Sequence, residues 1–193
     1  MNILIDSKKS WGSVCEIWSV YWSLYGRFYS ILTSPYFHVS LLITCMCFKY
    51  WTNPGWWDTT ISSIPTLLGF SLAGLSAFFA MSDEGFKRLL VYKNGEDASS
   101  PFLDVVVAFL HFIVCQVFAF IFALIAKSLF FKLENPPEFF TTVLPYMNIV
   151  GWGVGFLLLV YSCLLLLAAA FAIFRAARWY EKHITNRVNS ESN

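Results

Sequence analysis

Four stretches of the chain are apolar almost without interruption: Ser34–Trp51, Ile61–Met81, Phe102–Ala126 and Tyr146–Phe174. A helix needs about 20 residues to cross a hydrocarbon core of ~30 Å. Backbone polar groups in lipid must find partners within the segment, so each stretch is expected to be a transmembrane helix. The apolar/polar alternation of a membrane β-barrel is absent. The first stretch is the weakest, being short and carrying His38 near one end and Lys49 near the other. Lys49 can snorkel to the membrane edge beside Tyr50 and Trp51.

A different pattern precedes these spans. Trp11, Val14, Trp18, Tyr21, Trp22, Tyr25 and Phe28 recur at helical three-to-four spacing, with Ser13, Glu16, Ser19, Ser23 and Arg27 opposite. Such an amphipathic helix, rich in Trp and Tyr, is expected to lie in the headgroup plane. The alternative is that its aromatic face packs against the helical bundle or a second protomer, and the two readings are compatible. Met1–Ser10 has no apolar core of a signal peptide. The chain therefore divides into an arm with an interfacial helix (1–33), a four-helix transmembrane bundle (34–178) and a cytoplasmic tail (179–193).

The connections carry their own signals. Asp83 and Glu84 suit a helix start, Phe86, Leu89 and Leu90 form one apolar face, and Asn94-Gly95 reads as its cap. Pro101 opens the third span at a favourable first position. Asn53-Pro54-Gly55 predicts a turn, with Trp56 and Trp57 following at the outer membrane interface. The loop Lys127–Leu144 contains Asn135-Pro136-Pro137, and the polar end Asn186–Asn193 is expected to be disordered.

Composition agrees with a membrane protein. Of 193 residues, 58% are hydrophobic and 13% charged, against roughly 45–50% and ~25% in soluble domains. The formal net charge of +1 gives no basis for nucleic-acid binding. The distribution of charge matters more than its sum. Lys8, Lys9, Arg27, Lys87, Arg88, Lys93, Arg175, Arg178, Lys182 and Arg187 fall on one side of the four expected spans, against Lys49, Lys127 and Lys132 on the other. The positive-inside rule then places both termini in the cytoplasm.

Several constellations bear on chemistry. In the second span Gly69, Ala73 and Ala77 recur every four residues, with Gly74 alongside; in the fourth, Gly151 and Gly155 form a GxxxG. Small residues let helix backbones approach in lipid, within one chain or between protomers. Gly69-Phe70-Ser71-Leu72-Ala73 half-matches a nucleophile elbow, but a mid-span helix is the wrong setting for that motif. Asp104, His111, Cys115 and Gln116 sit on the third span, the first three on one face. They read either as a polar path or as interhelical hydrogen bonds, with the second reading favoured. The five cysteines lack metal-ligand spacing, so no metal and no cofactor is expected; Cys15 could carry a lipid, although buried inert thiols are commoner. No P-loop, G-x-G-x-x-G or H-E-x-x-H occurs, and no catalytic residue is assigned.

The run Ile64-Pro65-Thr66-Leu67-Leu68-Gly69-Phe70-Ser71-Leu72-Ala73-Gly74, continuing through Ala80-Met81-Ser82-Asp83-Glu84-Gly85-Phe86, resembles small bacterial multi-pass membrane proteins, some of them carried in anti-phage cassettes such as retrons. The resemblance implies a membrane effector kept silent by a partner from the same cassette and released to damage the inner membrane. On this reading the chain is a non-enzymatic, membrane-perturbing or pore-forming protein. It would work with the lipid bilayer, as a homo-oligomer or with that partner. The alternative is a binding module, resembling bacteriocin-immunity proteins, or a small subunit of a larger membrane complex or channel. A membrane enzyme or transporter ranks lowest, because no broken, charged midplane helix is apparent.

Overall fold

The structure is a computed structural model and describes residues 3–80, 90, 100–131 and 137–191. The described residues are helical, with no strand among them. The elements are α1 (Ile3–Tyr25), α2 (Arg27–Leu32), α3 (Pro35–Met46), α4 (Phe48–Trp51), α5 (Trp56–Ala80), α6 (Pro101–Ser128) and α7 (Glu138–Glu191). The start of α6 shows why these boundaries fall where they do. Pro101 occupies its first position, the Ser100 hydroxyl accepts from the Leu103 N–H at 3.3 Å, and Asp104 lies in the first turn. Lys127 in the last turn complements the opposite end of the helix dipole.

Among the described residues, three helices are long and apolar enough to cross a membrane: α5, α6 and the Thr141–Thr185 part of α7. The first expected span takes another form. Its helix breaks at Cys47 (φ −86°, ψ 16°), leaving α3 with 12 residues and α4 with 4. Twelve residues reach only ~18 Å at 1.5 Å per residue. Beside the break the Thr44 carbonyl accepts the Trp51 indole N–H at 2.8 Å, so the kink does not strand a buried acceptor. The indole fits because Gly153 has no side chain; a β-carbon there would sit 3.2 Å from the Trp51 ring.

The fourth expected span also differs. Helix α7 runs for 54 residues, ~81 Å by helical rise, well beyond the ~30 Å of a hydrocarbon core. The boundary expected at 178/179 falls inside it, and the tail expected to be disordered is helical as far as Glu191. Arg, Ala, Glu and Lys after Phe174 are good helix formers, which explains the continuation. Pro145 lies within the helix. The signals at Asp83, Glu84, Phe86, Leu89 and Asn94-Gly95 lie outside the described residues, as do Lys87, Arg88, Lys93, Lys132 and Asn135-Pro136. Leu90 is described and is buried in the core.

Contacts between α5 and α6 run in opposite order. Asp58 pairs with Lys127, Ser71 with Gln116, and Phe78 with Phe102, so the two helices are antiparallel. Helix α7 lies along both, and α3 packs against α7. The core has two layers. One gathers Phe78, Phe109, Phe112, Tyr161 and Leu165, with Ile31, Tyr36 and Phe37 packed on it. The other gathers Trp51, Trp56, Trp57, Ile64, Ala119 and Phe156. The segment from Ile31 to Trp51 therefore passes from one layer to the other.

Candidate functional site

The most developed polar constellation centres on His111, 1% exposed and ten residues into α6, or about 15 Å along the helix. Three elements converge on its ring. From α1, the Tyr21 hydroxyl meets Nδ1 at 2.8 Å, and the Tyr25 ring stacks on the imidazole with centroids 3.7 Å apart and planes 15° from parallel. From α7, the Tyr161 hydroxyl lies 3.3 Å from Nε2. From the next turn of α6, the Cys115 sulfur lies 3.4 Å from the same nitrogen. Tyr25 and Ser34 are further hydroxyl neighbours of Tyr161, and Phe37 meets the Tyr161 ring edge-on at 5.9 Å.

A neutral imidazole offers one acceptor and one donor. The Nε2–H tautomer satisfies both, Nδ1 accepting the Tyr21 O–H while Nε2–H donates to Tyr161. The arrangement is a closed hydrogen-bonded set, and a buried network of that kind fixes one packing only while every member is present. Cys115 beside His111 is a pairing that can activate a thiol, but this sulfur is buried against aromatic rings. Beside Tyr21, a groove between α1 and α6 is lined by Val14, Ile17, Trp18, Leu110 and Val114 and is apolar. Among the described residues, no group of three His, Cys, Asp or Glu is placed to hold a metal ion.

The other members of the expected polar path lie apart from this cluster. Gln116 faces α5, where its Nε2 donates to the Ser71 hydroxyl at 3.0 Å, both residues fully buried. Ser71, weighed from sequence only as a false nucleophile, is thus the partner of Gln116. Asp104 is exposed in the first turn of α6. His111 and Gln116 serve two separate interhelical contacts, the favoured reading of the sequence. Three buried polar atoms, Trp56 Nε1, Thr60 Oγ and Ser162 Oγ, have no partner among the described residues.

The aromatic and glycine positions divide in a similar way. Trp11 is 67% exposed, Trp18 meets Phe118 edge-on at 6.2 Å, and Trp22 meets Phe28 at 4.9 Å. Helix α1 thus touches the flank of α6 through Trp18, Tyr21 and Tyr25, the bundle-packing reading of its aromatic face. Trp56 and Trp57, expected at the outer membrane interface, are 1% and 4% exposed inside the second core layer. The reason is Gly155: a β-carbon there would collide with the Trp56 ring and with Phe122. Gly74 faces inward against Phe109 and Ile173, at 3.1 and 3.2 Å from a built β-carbon. Gly69, Ala73 and Ala77 face away from the other helices. A β-carbon on Gly69 or Gly151 would meet nothing within 4 Å. Among the described glycines, those that pack against another helix are Gly74, Gly153 and Gly155.

Sequence reasoning singled out His111 but missed Tyr161 and Tyr21 as its partners. The signal was present: a tyrosine within an apolar run needs a partner for its hydroxyl. No protein-family model matches the chain, and no curated protein or solved structure does either.

Proposed function

We propose that the chain is a non-enzymatic, multi-pass protein of the bacterial inner membrane that acts on the bilayer itself. It is the membrane-perturbing or pore-forming effector of a defence or toxin system, held inactive by a partner from the same cassette. The observation that carries this reading is the exposed apolar surface of α1, whose Val14 and Ile17 also rim the groove against α6. Trp11, Val14, Ile17, Val20 and Leu24 are all exposed on a helix joined to the rest by a sharp turn. Aromatic and aliphatic side chains displayed in this way engage the boundary between headgroups and acyl chains. The bundle supports the membrane placement. Its outer surface is apolar at Phe70, Leu72, Phe118, Ile121 and Phe171, while His111, Gln116 and Ser71 lie inside.

Four crossings, with both termini cytoplasmic, follow if the Ile31–Trp51 segment is counted as the first. Its passage from one core layer to the other supports that count, as does the asymmetry of Lys and Arg. The test is induction of the full chain in bacteria carrying a membrane-potential dye, beside a Trp11→Ser/Val14→Ser variant. Depolarisation by the native chain and its loss in the variant support the proposal. A native chain that accumulates in the membrane without changing the potential overturns it.

A second reading is a binding module or subunit of a larger membrane complex. It is favoured by the outward Gly69–Ala73–Ala77 line, a seam of the kind that receives another helix in lipid. Co-purification of a stable partner without depolarisation would select it.

A further inference from the structure

We propose that α1 is a reversible latch, closed on His111 and hinged at Gly26–Arg27. Among the described side chains of α1, Tyr21 is the buried one, at 4% exposed, and its hydroxyl ends on His111 Nδ1. Tyr25, one turn later, covers the flat face of the same imidazole. Trp18 adds an edge contact to Phe118. The clasp therefore occupies two turns at the end of a 23-residue helix.

The hinge follows immediately. Gly26 (φ 91°) and Arg27 (φ 59°) both adopt left-handed backbone conformations, breaking the helix between α1 and α2. Gly26 enters that region freely whereas Arg27 carries a side chain that disfavours it, so the helix is interrupted at this pair and the rotation that the latch needs falls here. Turning about it lifts α1 away without disturbing α5, α6 or α7, whose mutual contacts involve no α1 residue. Docked, α1 covers His111, Cys115 and the Tyr161 hydroxyl. Undocked, it leaves Nδ1 without its donor and exposes that polar set, and the freed aromatic face can enter a bilayer.

Opening gives up the Tyr21–His111 hydrogen bond and the Tyr25 stack together, and these contacts hold the clasp closed. Among the described residues, the polar groups facing His111 are Tyr21 and Tyr25 from α1, Cys115 from α6 and Tyr161 from α7. The consequence for the membrane rests on the effector reading. The latch itself does not.

The experiment measures spin-label distances on the full chain in phosphatidylethanolamine–phosphatidylglycerol liposomes. Cys45, Cys47 and Cys163 are replaced by Ala, and Cys115 by Ser, which keeps a polar group beside His111. One label pair joins Cys15 on α1 to Ser62→Cys on α5, and a second pair, in a Cys15→Ala background, joins Ser62→Cys to Leu167→Cys on α7. In the otherwise native chain the first pair gives a dominant short distance. Tyr21→Phe, which removes one hydroxyl, raises a longer population roughly tenfold relative to the docked one, and His111→Phe does the same. The α5–α7 pair stays unchanged in both. An α1 distance unmoved by Tyr21→Phe overturns the latch, whether or not His111→Phe folds. A spread of the α5–α7 distance in Tyr21→Phe also overturns it, because the hydroxyl would then support the bundle as a whole. Membrane potential is not read here, so the latch and the effector function can fail independently.

Discussion

A glycine-to-alanine series separates the packing described here from a simple small-residue motif. Alanine favours an interior helical position over glycine by about 1 kcal/mol, so a glycine facing open space should gain from the change. Gly69 and Gly151 are such positions, with nothing within 4 Å of a built β-carbon. At Gly155 the new methyl meets the six-membered ring of Trp56, which is 1% exposed and edge-packed on Trp57 with centroids 6.0 Å apart. Phe122 blocks the same position at 2.8 Å. Neither ring can swing clear as a flexible chain end would, so α7 must move off α5. Overpacking of this kind costs about 1–3 kcal/mol. Since the contact lies at the severe end of the range, a net loss of about 1–2 kcal/mol remains after the propensity gain. Gly74 is intermediate. Its neighbours, Phe109 Cε1 at 3.1 Å and Ile173 Cδ1 at 3.2 Å, can yield by a few tenths of an ångström, so Gly74→Ala should be near neutral. The assay is reversible unfolding of the purified chain in mixed micelles, followed by tryptophan fluorescence at a concentration where it is monomeric. The expected order of stability is Gly69→Ala and Gly151→Ala at or above the native chain, then Gly74→Ala, then Gly155→Ala. Gly155→Ala as stable as the native chain, or Gly151→Ala as damaging as Gly155→Ala, would refute the reasoning.

Other expectations can be checked in the same preparation. Ser71→Ala and Gln116→Leu should each cost about 1–3 kcal/mol by stranding a buried polar partner, while the double variant should cost less than their sum; additive losses would show that the pair is not coupled. Trp51→Phe removes the donor to the Thr44 carbonyl and leaves space against Gly153, so a loss of about 1–3 kcal/mol is expected in the unfolding midpoint. The exposed Asp58–Lys127 pair at 2.8 Å should matter little, Lys127→Ala changing stability by less than about 1 kcal/mol. Reporter fusions at residues 1 and 193 should both report the cytoplasm; a periplasmic signal from either would remove the four-crossing topology.

The sequence told most where one physical rule dominated. Long apolar runs marked α5, α6 and the apolar part of α7, because a hydrocarbon core leaves the backbone no other partner. The boundary at Ser100-Pro101 was equally legible, since capping depends on adjacent residues. The break at Cys47 was not, because it is stabilised by Trp51 reaching back to Thr44 and by a glycine more than a hundred residues away. Periodicity found the aromatic face of α1 but could not choose between lipid and α6, as both surfaces are apolar. The reach of α7 to Glu191 was hidden by polarity, which does not by itself oppose a helix. At the candidate site, His111 and Gln116 stood out as polar residues in an apolar run. Their partners sit on other helices at separations only the fold can supply. Repetition of small residues likewise gave Gly69 and Gly155 equal standing, whereas neighbouring ring volumes decide which of them forms a contact.

The central claim is that this chain acts on the bilayer directly. The purified chain, reconstituted into phosphatidylethanolamine–phosphatidylglycerol liposomes holding a potassium diffusion potential, tests it without any other cellular component. The account predicts collapse of the potential in proportion to the protein added, and a smaller effect from the Trp11→Ser/Val14→Ser variant. Liposomes that contain folded native protein and still hold their potential at every protein-to-lipid ratio would contradict it.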